Sequence, residues 1–149
     1  IKPVQLINHD SVWYLLSGNE KNEPGHFYSL ARISNLKVHA TTFTPVRFSV
    51  SKFMKNNFGI FKGEKIHEVS IIFDSFAAPY VKERKRNASQ KIADRKDGGI
   101  NYSITVNHLV EIKAWIMSWG SHATVVKPKE LILELQDELK KTLGKYAKR

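Results

Sequence analysis

The segment that most restricts the possible folds is residues 97–120, where the apolar period changes from that of a strand to that of a helix. Apolar and polar residues first alternate, which predicts a half-buried strand, and the apolar members are Ile100, Tyr102, Ile104 and Val106. A stripe with helical spacing follows at Leu109, Ile112, Trp115, Ile116 and Trp119. Asp97-Gly98-Gly99 is a hairpin signal before the strand, and Gly120 is a stop signal after the helix.

The rest of the second half repeats this alternation of strands and helices. Strands are predicted over residues 66–73, 87–92 and 123–126, and a short helix over 77–83. The resulting order, β-α-β-β-α-β, is that of a ferredoxin-like domain. A last helix begins near Pro128, and its apolar stripe is Ile132, Leu135, Leu139, Leu143 and Tyr146. This stripe is either core or a dimer surface.

The first half consists of short apolar segments separated by turn residues. Strands are predicted over residues 4–7, 12–16, 26–30 and 32–39. Several short strands at this spacing favour a small β-barrel. A connector follows, in which Ser49 caps a helix over residues 50–57 and Gly59 ends it. The predicted fold is therefore α+β, with a barrel at 1–47, a connector at 48–64 and a ferredoxin-like domain with its closing helix at 65–149.

Composition restricts the kind of partner more than the kind of fold. The chain has 149 residues, no cysteine and a formal net charge of +10, which favours contact with polyanions such as nucleic acid. The densest basic run holds Lys82, Arg84, Lys85 and Arg86, the candidates for nucleic-acid contact. The alternative is a solvated basic face. The absence of cysteine and of any long apolar run leads us to expect a cytoplasmic protein that does not contact the membrane.

No motif in the sequence indicates catalysis. The chain has no G-x-S-x-G elbow, no Walker A loop and no G-x-G-x-x-G segment. Its six histidines lie far apart along the chain, so none forms a short-spaced metal pair. We therefore expect no enzyme activity, no cofactor and no metal site.

Binding is better supported, by polar and aromatic residues on the second and third strands. The candidate ligand-binding residues are Tyr14, His26, Tyr28, Ser29 and Arg32. Together, an aromatic ring, an imidazole, a hydroxyl and a guanidinium can stack a base and hold a phosphate. The alternative is that the tyrosines are core residues and that Arg32 pairs with a carboxylate. Which tyrosine faces a pocket stays open.

At Trp13-Tyr14-Leu15 the chain resembles the WYL family of bacterial transcription regulators, which is named after this tripeptide. The stretch His26 to Ile33 is similar to the family pattern R-x-F-R-L-D-R-I, but His26, Ser29 and Ala31 replace Arg, Arg and Asp. Further matches to the family's connector and C-terminal extension domain are residues 53–61, 69–73, Gln90, 97–99, 115–120 and Pro128.

The resemblance implies an Sm-like, SH3-type barrel that senses a nucleotide or nucleic-acid-like effector, followed by a ferredoxin-like domain for assembly. It also implies a homodimer and a DNA-binding winged helix-turn-helix, for which no pattern precedes Val4. With two of the three pocket arginines replaced, a less charged ligand is expected. Two alternatives stay open: a direct binder of single-stranded nucleic acid, which would show a steep salt dependence, and a purely structural dimerisation module.

Overall fold

The computed structural model describes residues 1–19, 21, 23–45 and 49–147. The chain divides into two compact units, Ile1–Met54 and Lys55–Arg149, and each is described by itself. Within the described residues the fold is mixed α+β, with two antiparallel sheets and four α-helices. The predicted boundary between residues 47 and 48 lies outside the described residues.

The first unit is built on a three-stranded antiparallel sheet with the order β1-β2-β3. Its strands are β1 (Lys2–His9), β2 (Val12–Gly18) and β3 (Pro24–Ser29). Asp10 and Ser11 form the two-residue turn between β1 and β2 and have positive φ angles of 45° and 66°. Such a turn matches the twist of a hairpin and sets the register of the two strands. A short 3-10 turn, Leu30–Arg32, follows β3, and α1 (Val50–Phe53) ends the unit.

The two faces of this sheet differ in exposure. On the inner face Leu16 is fully buried, and the ring of Phe27 lies 6.1 Å from that of Phe53 on α1. On the outer face Trp13 is 51% exposed and Leu6 is 52% exposed. The inner face therefore forms the small core of this unit, whereas the outer face is available to solvent.

Two sequence predictions in this unit are wrong. Residues 33–39 form no strand, because Asn35 has a φ of 54° and so breaks the extended backbone. Leu36 and Val38 are also 77% and 92% exposed, which leaves this segment no face to bury. The helix after Ser49 is capped as predicted, since the Ser49 side chain accepts from the Lys52 N–H, but it ends at Phe53 instead of residue 57.

The second unit is a four-stranded antiparallel sheet with the order β5-β6-β4-β7. Its elements, in chain order, are β4 (His67–Phe73), α2 (Ala78–Glu83), β5 (Lys91–Asp94), β6 (Ile100–Val106), α3 (Val110–Met117), β7 (Ala123–Lys127) and α4 (Lys129–Tyr146). Pro79 lies in the first turn of α2, where its missing N–H costs nothing. Gly98 in the hairpin turn has a φ of 81°, a conformation in which glycine avoids the penalty of a side chain.

The core of the second unit lies between one sheet face and the helices. Phe73 and Tyr102 on neighbouring strands are fully buried and pack edge to face, 5.8 Å apart. Ile112 and Ile116 are the buried residues of α3 and form its inner side. The predicted stripe of this helix is therefore largely a core surface.

The segment before β4 packs onto this core. Phe58 is buried in it, and its ring lies 5.4 Å from that of Trp115. The carboxylate of Glu111 on α3 accepts from the N–H groups of Ile60 and Phe61, at 2.8 and 3.2 Å. A charged acceptor for two backbone donors is a strong local anchor. Residues 58–61 therefore belong structurally to the second unit.

Candidate ligand-binding cleft

A cleft of about 630 Å³ opens on the first unit. This volume is in the range of small-molecule sites. The side chains that give it chemical character are an ammonium, an imidazole, an amide, two aromatic rings and three aliphatic hydroxyls. They belong to Lys2, Ser17, Asn19, His26, Tyr28, Thr41, Thr42 and Phe43.

His26 and Tyr28 form the aromatic part of the cleft that the strands provide. They lie two positions apart on β3, so both side chains point to the outer face of the sheet. Their rings are 6.5 Å apart and nearly perpendicular, at 82°. Tyr28 is 37% exposed and His26 is exposed. Both rings can therefore be reached by a ligand from solvent.

The neighbouring loop is held closed by hydrogen bonds between its two ends. Glu23 donates its N–H to the Asn19 side chain at 2.9 Å, and the Asn19 amide donates to the Glu23 carboxylate at 3.1 Å. The buried Ser17 hydroxyl donates to the His26 carbonyl and accepts from the His26 N–H. These contacts position Asn19 and His26 at the rim of the cleft.

The sequence-predicted binding residues are not all brought together. Tyr14 is paired with Ser29 across β2 and β3, so the two share the inner face, and Ser29 is only 6% exposed. Arg32 is exposed in the 3-10 turn after β3 and is not among the residues that line the cleft. Of the five candidates, His26 and Tyr28 line the cleft.

The basic residues at the end of α2 and just after it differ in their burial and in their contacts. Lys82 forms an ion pair with Asp94. Arg86 is half-buried, and its guanidinium carbon lies 4.8 Å from the Trp115 ring centre and 5.3 Å from that of Phe58. Arg84 and Lys85 are exposed. The run is therefore not a row of equivalent surface cations.

Sequence reasoning missed the part of the cleft that comes from distant segments. Lys2 lies at the start of β1, and residues 41–43 lie in a stretch without regular structure. No local pattern relates them to β3. Phe43 in an otherwise polar stretch was the one available signal, and its ring is 40% exposed.

The part of the chain that the structure describes offers neither a cluster of metal ligands nor a membrane-spanning helix. No group of three or more histidine, aspartate or glutamate side chains is placed to hold a metal ion there. In the same residues, no helix combines the length and apolarity that a membrane crossing requires.

Comparison with known proteins assigns the second unit to a family. The WCX domain matches residues 65–143. The chain therefore belongs to the WCX-domain family, whose domain is found in WYL-domain regulators. None of the curated proteins matches the chain.

Among solved structures, the chain is similar to proteasome accessory factor B/C (PafBC) of Arthrobacter aurescens. The identity is 18% and the TM-score is 0.47. The similarity covers 97% of this chain and 22% of that chain. The chain thus spans less than a quarter of the length of that protein.

Proposed function

We propose that this chain is the effector-sensing and assembly module of a bacterial transcription regulator. The observation that carries the proposal is the WCX domain at residues 65–143 in the same chain as a unit with an open, aromatic cleft. In this proposal the first unit is a WYL domain with an Sm-like barrel, and the second unit is ferredoxin-like. The strand order β7-β4-β6-β5 along a β-α-β-β-α-β chain supports the second assignment.

The ligand that we propose for the cleft is a nucleotide or a short nucleic-acid-like molecule. Tyr28 and Phe43 offer rings on which a base can stack. The His26 imidazole and the hydroxyls of Thr41 and Thr42 offer hydrogen bonds, and the Lys2 ammonium offers a positive charge to a phosphate. Because one lysine is the cationic side chain in this lining, a ligand with few charges fits better than a long polyanion.

Regulation through this cleft requires that the ligand bind one state of the regulator more tightly than another. In our proposal, ligand binding to the first unit shifts the arrangement of subunits held by the WCX domain. That shift then changes the affinity of a DNA-binding domain elsewhere in the regulator. The protein acts by binding, without enzyme activity, as a cytoplasmic homodimer.

The experiment that tests the proposal is thermal unfolding in the presence of nucleosides, nucleotides, cyclic dinucleotides and short single-stranded oligonucleotides, at low and moderate salt. A ligand at a concentration of ~100 times its dissociation constant adds about 2.7 kcal/mol to the free energy of unfolding. We expect one small compound to do so in the wild type and not in Tyr28→Ala or His26→Ala. Tyr80→Ala is the matched control, because Tyr80 is an exposed tyrosine of the second unit.

Other outcomes would favour the other functions. Stabilisation by oligonucleotides alone, fading steeply with salt and reduced by replacement of the exposed Arg84 and Lys85, would favour a direct nucleic-acid binder. A shift that is lost in Arg32→Ala but kept in Tyr28→Ala would place the ligand outside the cleft. Absence of any shift would contradict sensing of these compounds and favour a structural dimerisation module.

A further inference from the structure

A second cleft, of about 490 Å³, lies on the sheet of the second unit. Val69 and Ile71 of β4 pack in the core with the helices, so the residues that alternate with them point to the opposite, open face of the sheet. This feature, the sheet cleft, has a volume in the range of small-molecule sites. The side chains that line it on the open face belong to Ser70, Ile72, Lys91, Ala93, Asn101 and Ser103.

The strand register places an ammonium and two hydroxyls side by side in the sheet cleft. Lys91 of β5 is directly opposite Ser103 of β6, and Ser103 is directly opposite Ser70 of β4. Side chains that are directly opposite each other start about 5 Å apart, so these three form a row across three strands. Two hydroxyls this close can both donate to one carboxylate or phosphate group, at about 2.7 Å each.

The polar groups of this row are not engaged within the chain. Among the described residues, Lys91 has no ion-pair partner and neither serine hydroxyl has a hydrogen-bond partner. The neighbouring charges are already paired, Lys127 with Glu68 at 3.2 Å and Arg95 with Asp97 at 2.8 Å. The uncompensated positive charge in the sheet cleft is therefore that of Lys91.

The next row of the sheet cleft is small and mostly apolar. Ala93 is directly opposite Asn101, which is directly opposite Ile72. The Asn101 side-chain oxygen accepts from Arg95 at 3.4 Å, so its N–H groups are the part that can donate to a ligand. This row offers a flat apolar floor with one amide donor beside the ammonium and the hydroxyls.

We propose that the sheet cleft binds a small organic acid or phosphate ester through a single oxyanionic group. Lys91 pairs with this group, Ser70 and Ser103 donate hydrogen bonds to it, and the body of the molecule lies on Ala93 and Ile72. One charged donor and two hydroxyls match one oxyanion better than a polyanion. The site is separate from the cleft of the first unit and does not depend on the function proposed for that cleft.

Single-stranded nucleic acid is the other candidate for an open sheet face. Proteins that bind single strands in this way stack the bases on exposed aromatic rings. Tyr102 borders the sheet cleft, but its ring is buried in the core, and the described residues of the open face add no other ring. With Lys91 as the unpaired cation, contacts to phosphates would also be few. The observations therefore favour a small molecule.

The test is an NMR titration of the full chain with two probes at constant ionic strength. Isobutyrate is the carboxylate probe, and glycerol 3-phosphate is the phosphate-ester probe. We expect one of them to shift the amide signals of Ser70, Lys91 and Ser103 saturably, and the probe that binds more tightly identifies the class of oxyanion. Tyr28→Ala in the first unit should leave these shifts unchanged, which separates the sheet cleft from the other site.

Substitutions in the row test the roles of its side chains. Lys91→Gln should weaken binding of that probe by about tenfold or more, since the ammonium is lost, whereas Lys91→Arg should retain most of the affinity. Ser103→Ala should weaken binding by about two- to tenfold. Lys96→Gln is the matched control and should leave the affinity unchanged, because Lys96 is an exposed lysine of the same unit that does not line the sheet cleft. The amide spectrum of each variant checks that it is folded.

Three results would overturn the proposal. The first is the absence of saturable shifts with both probes in the millimolar range. The second is an equal loss of affinity in Lys96→Gln and Lys91→Gln, which would show general charge attraction instead of a site. The third is a saturable shift of the same amide signals by a single-stranded oligonucleotide and by neither probe, which would show that the open face binds nucleic acid.

Discussion

Arg86 offers the sharpest test of how the basic run is used. The sequence groups it with Lys82, Arg84 and Lys85 as a candidate for nucleic-acid contact, but its guanidinium lies over the rings of Trp115 and Phe58. Its backbone N–H also donates to the Gln90 side chain at 2.7 Å. We therefore expect Arg86 to stabilise the second unit, whatever its role in binding.

The expected magnitude comes from these contacts. A cation over an aromatic ring contributes about 0.5–1 kcal/mol when exposed and about 2 kcal/mol when desolvated. Arg86 is half-buried, and its aliphatic stem adds packing. We expect Arg86→Ala to lower the free energy of unfolding by about 2 kcal/mol. In a domain of this size that loss corresponds to a fall in the melting temperature of roughly 8–16 °C.

The assay is urea unfolding followed by tryptophan fluorescence, to which Trp115 beside Arg86 contributes. Lys85→Ala is the matched control, because Lys85 is the exposed neighbour and should change stability by less than about 0.5 kcal/mol. Arg86→Lys keeps the charge but loses the planar group, so we expect an intermediate loss. If Arg86→Ala were as stable as Lys85→Ala but bound oligonucleotides more weakly, the ring contacts would carry no stability and the reasoning would fail.

Three further predictions concern the second unit. Gly63→Ala should destabilise the unit by about 1–3 kcal/mol, because the new methyl group would press on the backbone carbonyl of Asn107. Gly144→Ala, in open space on α4, should instead stabilise it by up to about 1 kcal/mol. Equal melting temperatures of the two variants would contradict this. Glu111→Gln should cost about 1–3 kcal/mol in urea unfolding, since a charged acceptor for two N–H groups is lost, and an unchanged midpoint would refute it. The hydrogen bonds from Arg95 lower the pKa of Asp97 to about 2. The stabilising effect of this carboxylate should therefore be complete above pH ~4 and be lost as the pH falls through about 2. A difference in stability between wild type and Asp97→Asn that persisted at lower pH would contradict this sign.

Most elements of the second unit could be predicted because their apolar periods are long and their end signals are clear. The strand predicted over residues 87–92 is the exception, since the structure has it at Lys91–Asp94. Ile100 to Val106 alternates over seven residues, and the structure has a strand over the same residues. The strand prediction for residues 33–39 was wrong because their apolar residues suggest a strand, whereas Asn35 adopts a positive φ that the apolar pattern does not reveal.

The candidate site could be predicted only in part. The period of two placed His26 and Tyr28 on one face of a strand, and both line the cleft. The pairing of Tyr14 with Ser29 on the opposite face depends on the register of β2 and β3, which is a long-range property. The contributions of Lys2 and Phe43 depend on how distant segments fold onto the sheet, and local patterns do not contain that information.

The stripe of α4 illustrates the same limit. Its apolar residues repeat regularly from Ile132 to Tyr146, but the core covers only the first part. Where the core ends is set by β7 and α3, which contact α4, and not by the helix itself. The sequence therefore left core and dimer surface as alternatives, whereas the structure separates the stripe into a buried and an exposed part.

Backbone amide chemical shifts test most directly whether the cleft of the first unit binds the effector. The chain would be titrated with the compound that gives the largest thermal shift, and the amide signals would be followed by two-dimensional NMR. We expect the largest changes at Ser17 to Asn19, at Gly25 to Tyr28 and at Thr41 to Phe43, the segments that line the cleft, and we expect these changes to vanish in Tyr28→Ala. Changes centred on Arg84 and Lys85, with the cleft signals unmoved, would contradict binding in the cleft of the first unit.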